Sequence, residues 1–361
     1  MAHVVVVGAG AIGSHLLPHL ARSPQVSRLT VIDRDRYNAG NTRGQQIDAR
    51  DIGRPKALAQ ARRLRRINPD LRVVPIRASV ERLPLGALRA SVILAALDSR
   101  KARMVVNQAA WRLGVPWIDA GVHADGMLAR VRVFVPAEDV PCLECAWRQD
   151  DYEAIDQTYP CAPGVTPGST GAPSTLSALA AALQAAECDA LLSGDTPHVL
   201  AGREVLLGAR HHTLSVTTYR RNPSCRMPDH AGWRIGALGT SPDRATVDEF
   251  LALGSTLRGA AASLAFGIAG ERIATTLRCD ACGAPHATCQ TEGHARVSRP
   301  RCPRCSGRLR ATGFGLRNFA SAEAVPAGLR QQRLSDIGVR PHDVLTLRTP
   351  EIDAHFEVEA T

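Results

Sequence analysis

The chain has 361 residues, 45% hydrophobic and 22% charged, a balance that excludes wholesale disorder and leads to an expectation of about two domains. Its formal net charge is +10, nearly all of it arginine, because Lys56 and Lys101 are the two lysines; such a surface attracts anions, whether nucleotides, acidic proteins or nucleic acid. No apolar run approaches ~18 residues, and the start, MAHVVVVGAG, carries neither a basic n-region nor a cleavage site, so the expectation is a cytoplasmic chain with no membrane-crossing helix and no secretory signal.

Residues 4–7 read as a fully buried strand, followed by a glycine-rich turn and a helix that Pro18 should bend or shorten. Residues 29–33 form a second apolar run. Residues 55–67 read as a helix with Ala and Leu on one face and arginines on the other, stopped by Asn68-Pro69. Residues 71–76, 91–97 and 115–119 are further strands, and 100–113 is a helix ending at Gly114. This alternation predicts an α/β fold, a mostly parallel sheet with helices on both faces. The pattern is lost over residues 150–174. An Ala-rich helix follows over 175–192, with Cys188 in its core face, then a strand at 213–219 and a helix near 245–258.

Gly8-Ala9-Gly10-Ala11-Ile12-Gly13 is G-x-G-x-x-G between a strand and a helix. The glycines permit a tight turn and close approach of phosphate oxygens, and the helix start supplies N–H groups and a positive dipole end. Asp33 ends the second strand 20 residues after Gly13, placed for ribose hydroxyls. The motif implies a nucleotide without saying which, and a dehydrogenase is its default reading.

The residues that follow point elsewhere. They are Arg34-Asp35-Arg36-Tyr37-Asn38-Ala39-Gly40-Asn41-Thr42-Arg43-Gly44-Gln45, then Gly53-Arg54-Pro55-Lys56, then Ala96-Leu97-Asp98-Ser99-Arg100-Lys101-Ala102-Arg103 with Asn107, then Pro116-Trp117-Ile118-Asp119-Ala120-Gly121. This ordered set, over about residues 1–235, resembles the ThiF/MoeB/ubiquitin-activating-enzyme superfamily, which adenylates the C-terminal glycine of ubiquitin-like and sulfur-carrier proteins. The resemblance implies a Rossmann-like, doubly wound sheet and an ATP site made by Gly8, Gly10, Gly13, Asp33, Asp35, Asn41, Arg43, Lys56 and Asp98. Asp33 would hold the ribose, Asn41 and Lys56 the phosphates, and Asp98 a magnesium ion. Lys56 survives in an almost lysine-free chain, as a compact phosphate-binding charge should. Gly44 stands where the family has an arginine, with Arg43 one residue earlier as its replacement. Arg103 and Asn107 match supporting positions. Cys161 lies in the irregular segment where the family carries its crossover loop; it is either an acyl acceptor forming a thioester or an unreactive loop thiol.

Three C-x-x-C pairs stand out. Cys279/Cys282 and Cys302/Cys305, separated by 19 residues, have zinc-ribbon spacing, with Cys289, His286 and His294 between them as spectators or substitutes. For Cys142/Cys145 the resemblance implies a second zinc site completed by Cys225 and, in place of a fourth cysteine, His230; a dithiol redox pair is the alternative. The expected domains are an adenylation domain at 1–235 with a crossover loop at about 150–174, a helical linker at 236–277, a zinc ribbon at 278–310 and a small β-rich segment at 311–361.

The expected function is ATP- and Mg²⁺-dependent adenylation of the C-terminal glycine of a ubiquitin-like protein, with transfer through Cys161 to a conjugating enzyme. Activation of a sulfur carrier is the alternative within the family. The resemblance implies a homodimer. An NAD(P)-dependent oxidoreductase and a zinc-ribbon nucleic-acid-binding protein are rivals from other classes; the lack of stacking aromatics around the ribbon argues against the second.

Overall fold

The computed structural model describes residues 1–156, 171–227, 230, 232–260 and 262–360. Cys161 lies outside the described residues. The chain divides into two compact units, one of Met1–Leu83 with Leu88–Gly232, the other of Pro84–Ala87 with Trp233–Thr361.

The first unit runs β1 (Ala2–Val7), α1 (Ala11–Leu20), β2 (Val26–Ile32), α2 (Lys56–Ile67), β3 (Arg72–Ile76), β4 (Val92–Ala95), α3 (Arg100–Leu113), β5 (Trp117–His123), β6 (Leu128–Phe134), α4 (Gln149–Asp156), α5 (Ser174–Ser193), β7 (Arg203–Gly208) and β8 (Thr213–Thr218). Its eight strands lie in the order β3-β2-β1-β4-β5-β6-β7-β8. The first five are parallel, and β6, β7 and β8 extend the sheet antiparallel. Strand order reverses between β1 and β4, and the crevice beyond their carboxyl ends is where open α/β sheets bind ligands. The four residues of β4 are buried, as expected of a parallel strand covered on both faces. Ile12 and Leu16 of α1, Ala57 and Leu64 of α2 and Leu176 and Ala180 of α5 pack on one face of the sheet. On the other, Trp111 of α3 meets Phe134 edge-on, and Phe134 stacks on Trp117.

Several elements depart from expectation. Strands β6 and β7 are not among the expected elements, although β6 (LARVRVF) carries the apolar/charged alternation of a strand. Helix α4 occupies the start of the segment expected to be irregular; its Asp150 and Asp151 suit a helix N-terminus. Helix α1 closes at Leu20, two residues past Pro18, whose carbonyl accepts a hydrogen bond from Arg22 at 2.7 Å. Helix α5, 20 residues with a mean hydropathy of 1.2, is long and apolar enough to cross a bilayer, contrary to the expectation from apolar runs. It is a core helix: its small residues Ala180, Ala181 and Ala185 are buried, and the buried Gln184 amide donates to the carbonyls of Ala95 at 3.1 Å and Ile118 at 2.8 Å.

The second unit contains β9 (Ile235–Ala237), α6 (Val247–Leu253), β10 (Ala265–Ile268), β11 (Ile273–Cys279), β12 (Pro285–Thr291), α7 (Glu292–Ser298), β13 (Leu309–Ala311), β14 (Leu316–Arg317), β15 (Phe319–Ser321), α8 (Ala327–Arg330), β16 (Val344–Arg348) and β17 (Asp353–Glu357). Five strands form a sheet in the order β15-β10-β16-β17-β9, and β11 pairs with β12, β13 and β14. This corrects two expected boundaries. Residues 236–277 are not a helical linker, and 311–361 are not a separate segment. Strands from both share one sheet, and Val247, Phe250 and Phe266 from the former pack with Val325, Leu345 and Leu347 from the latter. Strands of three to five residues cannot bury an apolar face alone, so each half of this sheet needs the other.

Candidate functional site

The turn between β1 and α1 is built around its glycines. Gly8 has φ +98°, and a Cβ there would lie 2.3 Å from the Ala96 carbonyl oxygen. A Cβ on Gly13 would lie 1.9 Å from the Gly8 carbonyl oxygen, so helix and turn pack backbone to backbone. At Gly10 a Cβ would meet nothing within 4 Å; that position faces open space.

Asp33 follows β2 and secures the turn. Its carboxylate accepts the N–H of Ala9 at 2.8 Å and of Asp35 at 2.8 Å. Burial pushes its pKa up, against the pull of Lys56 and these amides. Beneath the turn lies Tyr37, 1% exposed. Its hydroxyl donates to the Ala9 carbonyl at 2.7 Å and accepts from the Gln60 amide at 2.8 Å. No motif marks Tyr37 as a support; the long-range contact alone reveals it.

Lys56 opens α2 with its Nζ 3.4 Å from the Asp35 carboxylate and 5.8 Å from the centre of the Tyr37 ring. At the end of β4, Ser99 caps α3 by accepting the Ala102 N–H at 3.3 Å. Asp98 is therefore not the cap, and it stays exposed. Gly8, Gly10, Asp33, Asp35, Asn41, Lys56 and Asp98 line one cavity of about 700 Å³. Asn41 is also held in a reciprocal pair with Asn38, with hydrogen bonds of 2.9 and 3.2 Å. Arg43 is exposed on the neighbouring 3₁₀ turn and is not among the lining residues, whereas Gln45 is.

The cavity continues over β5, β6 and β7, past Gly121, His123, Leu128, Arg130 and Leu206. Arg103 and Arg130 of this lining belong to a buried ion cluster. Asp119, fully buried, accepts Arg103 Nε at 2.7 Å and Arg132 Nε at 3.1 Å. Burial opposes its ionisation, but Arg103, Arg132 and Arg130 outweigh burial and hold its pKa below the usual carboxylate value. Arg103 also donates to the Leu97 carbonyl and, at 3.3 Å, to that of Ala120. It thereby ties the segment carrying Asp98 to β5.

Two further clusters match the cysteine reading. In the first unit the ligand atoms of Cys142, Cys145, Cys225 and His230 all lie within 4.8 Å of one another. Cys142 and Cys225 sulfurs are 3.7 Å apart, and His230 Nε2 is 3.9 Å from Cys145 Sγ. His230 Nδ1 lies 3.2 Å from the Val140 carbonyl, which fixes the ring with Nε2 free to coordinate. Asn107 braces the C-x-x-C turn, accepting the Leu143 N–H and donating to Glu144, both at 3.2 Å. In the second unit Cys279, Cys282, Cys302 and Cys305 also lie within 4.8 Å, with sulfur separations of 3.5 Å (Cys279–Cys305) and 3.8 Å (Cys282–Cys302). Thiolates about 2.3 Å from a tetrahedral zinc would stand about 3.8 Å apart, so both donor sets fit that ion. His286 approaches Cys302 at 3.4 Å. Cys289 and Cys188 are buried thiols outside both clusters, pushed up by burial to about 11 and about 12.

Residues 1–227 match the ThiF family. The chain belongs to the ThiF family. It is 34% identical over 235 residues to a sulfur carrier protein adenylyltransferase of Thermus thermophilus, a match that spans 62% of this chain and 81% of the relative. It is 30% identical over 234 residues to the SAMP-activating enzyme E1 of Haloferax volcanii, spanning 63% and 81%. Among solved structures, Escherichia coli MccB with ATP superposes with a TM-score of 0.51 at 23% identity, over 63% of this chain and 66% of that one; a likeness at that level speaks for the fold. The ThiF match ends within the first unit, so the four-cysteine cluster of the second unit lies beyond it.

Proposed function

We propose that this ThiF-family chain uses ATP to adenylate the C-terminal carboxylate of a ubiquitin-like or sulfur-carrier protein. The carrying observation is that the glycine turn, Asp33, Lys56 and Asp98 line one cavity at the strand-order reversal. In this reading the turn's N–H groups and Lys56 hold the phosphates, and Asp33 holds the ribose. Asp98 is a carboxylate of the kind that shares a magnesium ion with phosphate oxygens. A carboxylate oxygen of the partner attacks the α-phosphorus, the bond to the β-phosphate's bridging oxygen breaks, and pyrophosphate leaves with that electron pair. No proton moves, so positioning and charge neutralisation are the work of the site. Arg43 would need to turn toward the cavity to contribute.

Onward transfer through a thioester on Cys161 to a conjugating enzyme is the finer proposal, together with a homodimeric assembly. Zinc at both cysteine clusters would be structural, since each offers four protein ligands and no open position.

The test is ATP–pyrophosphate exchange with candidate partners ending in glycine, comparing the full chain with K56A and D98A. Exchange that requires the partner and falls at least about a hundredfold in both variants supports adenylation. An oxidoreductase would show no exchange. A nucleic-acid-binding protein would bind nucleic acid in both variants with a steep salt dependence.

A further inference from the structure

The ion cluster to which the cavity's Arg103 and Arg130 belong holds three guanidiniums and two carboxylates. The strand register sets out a row across the sheet: Gly121 of β5 faces Arg130 of β6, which faces Leu206 of β7. The adjacent row on the same face is Asp119, Arg132 and Glu204. Arg103 and Arg132 are both hydrogen-bonded to Asp119. Glu204 accepts the Tyr219 hydroxyl at 2.7 Å and stands 3.7 Å from Arg130 Nε and 4.0 Å from Arg132 Nε. Three guanidiniums thus share two carboxylates.

Arg130 is the most loosely paired of the three: its ion pair with Glu204 is 3.7 Å long, and Glu204 also accepts the Tyr219 hydroxyl. Its Nε is buried and has no hydrogen-bond partner among the described residues. Burial, with Arg132 and Arg103 nearby, pushes its pKa down against the pull of Asp119 and Glu204. Gly121 opens the space in front of it: a Cβ there would come within 3.3 Å of Arg103 Nη2 and 3.4 Å of Arg130 Nη2. Arg130 lines the same cavity as Lys56 and Asp98, on the side away from the glycine turn.

We propose that Arg130 binds the terminal carboxylate of the peptide substrate and directs one of its oxygens toward the α-phosphate. The proposal rests on the adenylation reading and adds a substrate-binding residue to it. A planar guanidinium grips a carboxylate in a defined orientation. The leaving pyrophosphate and the magnesium-binding side of the cavity need no part of it. The incoming anion adds a third carboxylate to the cluster's three guanidiniums, and Leu128 and Leu206 flank the tail with apolar surface.

The experiment uses the full chain with a non-hydrolysable ATP analogue and magnesium. The probes are a synthetic peptide ending in Gly-Gly with a free carboxylate and the same peptide as its C-terminal amide, both titrated by calorimetry. The wild-type chain should bind the acid about tenfold tighter than the amide or better, as expected for a charge-assisted pair. R130Q should reduce that ratio to near one, R130K should restore part of it, and both should bind the analogue within about twofold of wild type. An acid-over-amide preference that survives in R130Q overturns the assignment, as does its absence from the wild type. Loss of analogue affinity in R130Q with the ratio unchanged would make Arg130 a phosphate ligand and also overturns it. A wild-type chain that binds no analogue at all removes the adenylation reading instead, and this inference with it.

Discussion

Asp119→Asn is the substitution that most directly probes how the β5–β6 side of the cavity is held. The change keeps the side chain's size and removes its charge. Asp119 is fully buried and accepts both Arg103 and Arg132, which are 12% and 7% exposed. Removing one partner of a buried ion pair costs about 3–5 kcal/mol, because the remaining charge stays desolvated. For a unit of roughly 230 residues each kcal/mol shifts Tm by about 2–4 °C, so D119N should lower Tm by about 6–20 °C. Differential scanning calorimetry reads this directly. A second substitution, R132M in the D119N background, should recover part of the loss by removing a stranded cation. The pH dependence provides an independent check. Asp119 is held below the ordinary aspartate value of 3.8, so its stabilisation is complete above the unfolded-state value and is lost as pH falls through the folded one. The wild type should therefore lose stability in acid along a slope that D119N lacks. A Tm shift under about 3 °C, with an unchanged acid slope, would refute the view that this ion cluster supports the sheet.

Gly13→Ala should abolish binding of a fluorescent ATP analogue, because its Cβ would sit 1.9 Å from the Gly8 carbonyl oxygen, backbone that cannot yield cheaply; binding within threefold of wild type would contradict the packing described. Tyr37→Phe leaves the Ala9 carbonyl and the Gln60 amide without their buried partner, so chemical denaturation should show a loss of about 1–3 kcal/mol together with weaker nucleotide binding. Elemental analysis of the purified chain should find two zinc ions, one lost in C142A and the other in C302A; full metal content in either variant would dissociate that cluster from metal. Stripping the second-unit metal with a chelator should unfold the β11–β13 module, seen as rapid amide exchange across residues 273–311, since a cluster with so small an apolar core depends on its ion.

Much of the nucleotide site was legible because its chemistry is local in sequence. The glycine turn and Asp33 each follow a buried strand, so hydrophobic runs and their punctuation locate them; Lys56 and Asp98 were singled out by the family resemblance. The C-x-x-C pairs were legible for the same reason, since such a knuckle is a short-range motif, whereas Cys225 and His230 came only from the family resemblance. The second unit was not legible in this way. Its strands are two to seven residues long and carry no extended period, so nothing in residues 236–277 announces that they share a sheet with 319–357.

Composition and pattern by themselves determined the α/β class of fold, the glycine-rich strand–turn–helix and the C-x-x-C pairs. Only the tertiary structure decided what lies across the cavity from the glycine turn. Arg130 and Arg132 read locally as charges on an alternating segment, which is ordinarily a solvated face. The register of β5, β6 and β7 instead turns them onto one face with Asp119, Gly121 and Glu204, where Arg132 hydrogen-bonds Asp119 and Arg130 is left with a 3.7 Å ion pair to Glu204. Strand register is set by pairing between distant segments, with a side-chain period of two, so a single-residue slip would send every one of these groups to the opposite face. Local sequence carries no record of that choice.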